Sequence, residues 1–410
     1  MPGDRDVLRD LARQVTEIAA KPVQNERRDL WRRHNSLQRT RPLIYVRWFA
    51  CWSEIVPDAS LACRDPFLRP FERSMRESIL QDALNDDTIV EPWLRLRASF
   101  VAPDFAHRWG PPIRFSEKTA PRGSAAFCPS VIDESDIDQL VKPVHRIDEQ
   151  ATRRDFEKLS DAVGDILPVV VNRSPMWWNW AGDISTDIAR LLGLEQFMLY
   201  MYDRPRWLHR ILAFMRDGIL DVHAAAEAAG DLRLINHENQ ATPYARELPD
   251  PSPSTEPVRR EQLWCFLASQ ETTLVSPAQF DEFMLQYQIP IMAKFGLSAY
   301  GCCEDLTKKI GCLRKAPNLR RIAVTPWADV AECADQIGGD YVMSWRPSPA
   351  EMVCRGFDAD RVRKLTREAL AAAGDCHVDV TLKDVETVGG DFNRLVEWTR
   401  ITREVIDEMD

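Results

Sequence analysis

The residues Tyr300-Gly301-Cys302-Cys303-Glu304 hold the sharpest chemistry in the sequence. Two adjacent thiols followed by an acid suit zinc or another thiophilic metal, provided N or O ligands stand nearby. His237 and Glu271, each at the end of a preceding apolar run, are the candidates, giving a metal set of His237, Glu271, Cys302 and Cys303. The plainer expectation is that one thiol packs inward while the other faces a helix, because neighbours on a strand point opposite ways. Cys302 shares the phase of Tyr300, taken here as inward, and is the better ligand of the two. Without a metal, Tyr300 or Glu304 is the expected proton donor.

These residues need a frame. Apolar runs begin near positions 43, 90, 168, 233, 264, 297, 320 and 341, with helical patterns between most of them. Such alternation means parallel βαβ units, and a count of about eight points to an α/β fold of the closed (β/α)8 TIM-barrel type. The first forty residues read as an N-terminal helical extension, with Leu8, Leu11, Val15 and Ile18 on one face. Residues 1–410 then form one barrel domain, and the Pro-rich stretch 243–257 is expected to be a lid loop. A doubly wound open sheet is the alternative, but no GxGxxG follows any strand.

Function in a barrel gathers at the carboxyl ends of its strands. Those ends are rich in Trp. Trp48, Trp52, Trp177, Trp178, Trp327 and Trp345, with Glu54, Asn239 and Arg346, are read as the walls and polar handles of a substrate pocket. Asp221-Val222-His223 begins like a DxHxxG cobalamin motif, but Ala226 replaces its glycine, and the match is read as chance. His34, His107, His145, His209 and His377 lack patterned partners and are read as surface or structural. No HExxH, P-loop or GxSxG pattern occurs.

Composition narrows the partners. The chain has 410 residues and a formal net charge of −10, which disfavours nucleic acid. No apolar run reaches membrane-spanning length. Ten dispersed cysteines without CxxC do not read as a secreted disulfide framework, and the charged opening MPGDRDVLRDLARQ has no signal-peptide core. A cytoplasmic location with reduced thiols is expected.

The segment VSPAQFDEFMLQYQIPIMAKFG (275–296), then AYGCCEDL (299–306) and TPWADV (325–330), resembles the uroporphyrinogen decarboxylase-like superfamily. Within it, the chain is similar to the bacterial methyltransferase-related branch, and RRDLWRRHNSLQRTRPLIYV (27–46) carries the same resemblance. The haem-pathway decarboxylases bear an arginine- and glycine-rich motif after the first strand, where this chain reads VRWFACWSEI with Arg47 its one cation. The resemblance implies a TIM barrel and transfer of a methyl group from a small O-, N- or S-methylated compound to a corrinoid protein or a tetrahydrofolate. It also implies zinc, held by a His-x-Cys pair and a later Cys. Here Tyr300 stands in the histidine's place, Cys302 matches, and Ser344 and Trp345 stand where the later Cys would be. No corrinoid-binding module is found, so a corrinoid would come on a partner protein. A homodimer is an open alternative for the assembly. Two other readings stay open. One is a metal-independent decarboxylase or lyase of a small aromatic acid, with Arg47 or Arg346 on the carboxylate. The other is a non-catalytic binding barrel.

Overall fold

The computed structural model describes residues 3–101, 105–120, 123, 125–175, 183–354 and 356–409. Its strands are β1 (Leu43–Val46), β2 (Leu94–Arg97), β3 (Arg114–Phe115), β4 (Phe127–Cys128), β5 (Val169–Asn172), β6 (Trp264–Leu267), β7 (Leu297–Tyr300), β8 (Leu319–Val324), β9 (Val342–Trp345) and β10 (His377–Leu382). Six of them form one parallel sheet in the order β1-β10-β9-β8-β7-β6. A separate parallel pair, β2-β5, and a short antiparallel hairpin, β3-β4, complete the set. The fold is α/β with a parallel sheet and helical crossovers, as the alternating pattern predicts. It is barrel-like, and among the described residues the backbone ladder does not close.

Two of the expected strand positions differ from the structure. Residues 232–239 form turns, not a strand. Asn236 folds back, its side chain accepting from Arg233 N at 2.7 Å and its own N–H donating to the Arg233 carbonyl. Polar side chains that can bond their own backbone compete with a ladder in this way. Conversely, β10 was not anticipated. His377-Val-Asp-Val-Thr-Leu382 alternates polar and apolar, and its polar phase faces a buried network where its charge is matched.

Side chains alternate across the six-stranded arc. Trp264 and Phe266 of β6, Leu297 and Ala299 of β7, and Ala268 pack together on the inner face. Below them, Asp379 of β10 accepts from Arg321 of β8 (2.7 Å), Ser344 of β9 (2.8 Å) and Thr381 (2.7 Å). Burial would raise the Asp379 carboxyl, but Arg321 and His34 hold it far below the ordinary value. The amino-terminal opening is filled by the end of helix Pro22–Asn35. Asn35 Oδ1 accepts from Arg321 (2.9 Å), and Trp31 Nε1 donates to the Asp87 carbonyl (2.7 Å).

The stretch 240–248 runs inside this arc. Gln240 lies beside Cys302, Thr242 and Tyr244 carbonyls accept from Asn35, and Leu248 packs where a Cβ on Gly296 would meet it at 2.5 Å. Glu247 and Asp250 pair with Arg320 and Arg32. The first part of the expected lid, 243–248, is therefore packed inside and leads to the amino-terminal end, while 249–257 lies half-buried or exposed. Its buried Tyr244, Ala245 and Leu248 explain why it turns inward.

The opposite side is looser. β1 and β2 share no ladder. The free edge of β1 is satisfied by carboxylates instead: Ile44 N donates to Asp87 (2.7 Å) and Val46 N to Asp86 (2.9 Å). Helices Asp4–Ala19, Arg69–Ala83 and Glu149–Val163 cover the outer face of β2 and β5 through Leu8, Leu11, Met75, Leu94, Leu96 and Leu159. No helix among the described residues is long and apolar enough to cross a membrane.

Candidate functional site

The site is built around a reversal in the backbone after β7. Gly301 takes φ 102°, and a Cβ there would lie 2.7 Å from Leu306 and 2.9 Å from Ala323. Only glycine accepts both demands. The reversal breaks the strand's alternation. Tyr300 points outward to the helical shell, its hydroxyl donating to Gln288 at 2.7 Å and its ring edge-on to Phe280. Cys302 points inward and joins the cluster of Ala299, Phe266 and Ala268. The inward assignment of Cys302 stands, but its supposed match in phase with Tyr300 does not.

Glu304 fastens the turn. Its carboxylate accepts from Ser269 N (2.7 Å), Cys302 N (2.8 Å) and Cys303 N (3.0 Å). Burial pushes the Tyr300 phenol upward, with the Glu304 charge adding to it. Neither group is presented as a proton donor to the barrel mouth.

Cys302 is 4% exposed and has cations on two sides. Lys383, the residue after β10, places Nζ 3.3 Å from its sulfur and 3.5 Å from that of Cys303. Arg346 donates to the Cys302 carbonyl at 2.6 Å, and Gln240 Nε2 approaches the sulfur at 3.5 Å. The sulfurs of Cys302 and Cys303 are 3.6 Å apart. A hydrogen bond from the Cys303 thiol, then the charges of Lys383 and Arg346, lower Cys302 to about 6 against its burial. Cys303, which is exposed, is driven upward by donating to that thiolate. Asp384 completes the group, 2.6 Å from Lys383 Nζ and 3.6 Å from the Cys303 sulfur. The arrangement is a thiolate–ammonium pair with a neutral thiol on its solvent side. Lys383 and Gln240 were missed in the sequence; the alternation leading into Lys383 was the signal available.

The other proposed metal ligands stand elsewhere. His237 lies at the amino end of β6, where its Nδ1 accepts from Trp264 N at 3.2 Å. Burial lowers it to about 3, with Arg95 adding to the effect. Glu271 accepts from Ser185 (2.7 Å) and Thr186 (2.9 Å). Burial, and then the charge of Glu271, raise the neighbouring Asp183 to about 7. Among the described residues, no three His, Cys, Asp or Glu side chains gather to hold a metal. The proposed set His237, Glu271, Cys302 and Cys303 does not fit a zinc ion, because its N and O donors do not gather with the thiols.

The tryptophans do not form one wall. Trp48 and Trp52 pack together at 5.3 Å outside β1, with Trp48 Nε1 donating to Gln81 (2.8 Å). Trp345 is buried in the helical shell, since its neighbours Ser344 and Arg346 take the inward phase. Trp327 is 79% exposed. Trp177 and Trp178 lie outside the described residues. Glu54 accepts from Val388 N and Gly390 N, tying down the loop after β10, and Asn239 closes a local turn onto Ala241 N. Of the polar handles, Arg346 alone faces Cys302.

No protein-family model matches the chain, and no curated protein matches it. Among solved structures it aligns with a methyltransferase from Methanosarcina mazei. The identity is 10%, the alignment covers 93% of this chain and 98% of that one, and the TM-score is 0.49.

Proposed function

We propose that the chain is a methyltransferase that removes the methyl group of a small O-, N- or S-methylated compound, with Cys302 and Lys383 at the reacting centre. The observation that carries this reading is the buried Cys302 thiol with Lys383 Nζ 3.3 Å from its sulfur. The resemblance of 275–346 to the methyltransferase-related branch supports it. When a methyl carbon leaves a heteroatom, that atom keeps the bonding pair and needs a proton. Lys383 Nζ is placed to give it, and the Cys302 thiolate anchors the ammonium. Asp384 and the Cys303 thiol connect Lys383 to solvent for reprotonation. A corrinoid protein or tetrahydrofolate would supply the nucleophile that takes the methyl group. No step is assigned to zinc, whose proposed donors do not converge.

The test is turnover of methoxy-, methylamino- and methylthio-substituted benzoates with tetrahydrofolate or a corrinoid protein, read as demethylated product. Lys383→Met and Cys302→Ser are each expected to lower the rate by about 10²–10⁴-fold. Parental rates in both variants, or no product from any of these compounds, would overturn the reading. Release of carbon dioxide instead would favour a metal-independent decarboxylase, the second reading, which the inward Arg47 and Arg346 favour.

A further inference from the structure

The gap between β1 and β2 opens onto a cavity of about 430 Å³, within the size range of small-molecule pockets. Its lining comes from both sides of the strands. Trp48 and Met75 stand on the helix side, and Tyr45, Arg47, Trp93 and Arg95 take the inward phase. The cavity thus passes between helix Arg69–Ala83 and the barrel interior. Arg47 and Arg95 make no ion pair among the described residues. Arg47 lies over the Phe49 ring at 5.4 Å, and loss of hydration lowers Arg95 against the more distant charges of Glu238, Glu91 and Tyr45. Glu91 is already held by Tyr244 and Arg28. Glu238 acts on both guanidiniums from beyond ion-pair distance, so two cations stand against one carboxylate along a wall shared with Tyr45, Trp48 and Trp93. That excess of positive charge favours an anion.

Arg47 also links the cavity wall to the proposed reacting centre. Arg47 N donates to the Leu382 carbonyl at 2.7 Å, which sets Arg47 beside Lys383 across the β1–β10 ladder. Arg346 feels the charges of both Cys302 and Arg47.

We propose that this cavity binds a small organic anion with an apolar body, its anionic group between Arg47 and Arg95, and that the anion is the methylated substrate. The inference rests on the methyl-transfer reading for the substrate's role, but not for its binding. A carboxylate, sulfonate or phosphonate would meet two guanidiniums equally well in charge, and bidentate geometry favours the planar carboxylate.

The experiment is calorimetric titration of the full chain with benzoate, benzenesulfonate, phenylphosphonate and the neutral isostere benzamide. At least one anion is expected to bind at least about tenfold more tightly than benzamide, a difference ordinary for a charge-assisted contact. Arg95→Gln and Arg47→Gln should each erase that preference, Arg95→Lys should keep part of it, and Cys302→Ser should leave it intact. Equal binding of benzamide and the anions, no binding of any, or an undiminished preference in the glutamine variants overturns the proposal. The benzamide comparison on the parent protein holds even if a variant does not fold. Arg95-dependent anion binding without methyl transfer would leave the pocket standing and sink the functional reading. Methyl transfer with equal KM for anionic and neutral substrates would do the reverse.

Discussion

The two sides of this barrel-like fold solve the same problem differently. From β6 round to β1, six strands share a continuous ladder, and the interior is filled by side chains and by the stretch 240–248. Charge there is matched: Asp379 is met by Arg321, Ser344, Thr381 and the His34 ring. From β1 to β5, the ladder is interrupted, carboxylates stand in for a neighbouring strand, and Arg47 and Arg95 face a cavity without ion-pair partners. The thiolate–ammonium pair sits where the two sides meet. Order and satisfied charge on one side hold the Cys302–Lys383 pair still; the other side, with two guanidiniums facing one carboxylate, leaves room for a ligand.

The comparison breaks most sharply at Asp379. Asp379→Ala strands the buried Arg321 cation and is expected to cost about 3–5 kcal/mol in urea unfolding. A loss below about 1 kcal/mol would show that the filled side does not depend on its charge network. Gly301→Ala comes next, at about 1–3 kcal/mol, since the new Cβ meets Leu306 and Ala323 at an adverse φ. Circular-dichroism melts would record it. A smaller effect sharpens the junction between the two sides. Alkylation of Cys302, followed by peptide mapping, should rise with pH through about 6, because the thiolate is the reactive form and its proton is lost there. Lys383→Met should move that midpoint upward by about one pH unit, by removing a cation that favours the charged sulfur. A midpoint near the ordinary thiol value in the parent protein would remove the basis for a reacting thiolate. The smallest change is expected at the open side. Arg95→Gln should alter stability by no more than about 0.5 kcal/mol, as it breaks no ion pair. A loss comparable to that of Asp379→Ala would mean that Arg95 is structural and that the two sides are not different in kind.

Much of the frame was readable because apolar β-runs alternate with amphipathic helices. The runs at 264, 297, 320 and 341 match β6, β7, β8 and β9 closely. The reading failed where polarity serves the interior. Val378-Asp379-Val380-Thr381 was not counted as a strand; its polar phase is buried because counter-charges come from Arg321 and His34, far away in sequence. Asn236 to Gln240 looked like a strand end, yet those side chains bond to their own turns and to Cys302. At the site, Cys302 does face inward, but the expectation rested on the phase of Tyr300, which points the other way. The roles of Tyr300, Glu304 and Glu271 were not legible, because one glycine at positive φ resets the phase and backbone N–H groups claim the Glu304 carboxylate. The tryptophans misled for the same reason: strand phase decides between mouth and shell, and Trp345 falls on the shell side.

The carboxylates of Asp86 and Asp87 have one further consequence. By satisfying the edge of β1, they leave an opening that exists without any backbone hydrogen bond being broken. A ligand entering at that seam would need only side chains such as Tyr45 and Arg95 to change rotamer, a picosecond-to-nanosecond event, and not the microsecond-to-millisecond swing of a hinged segment. Such a ligand would come and go at rates governed by its own affinity, leaving the strand ends open to a second reactant.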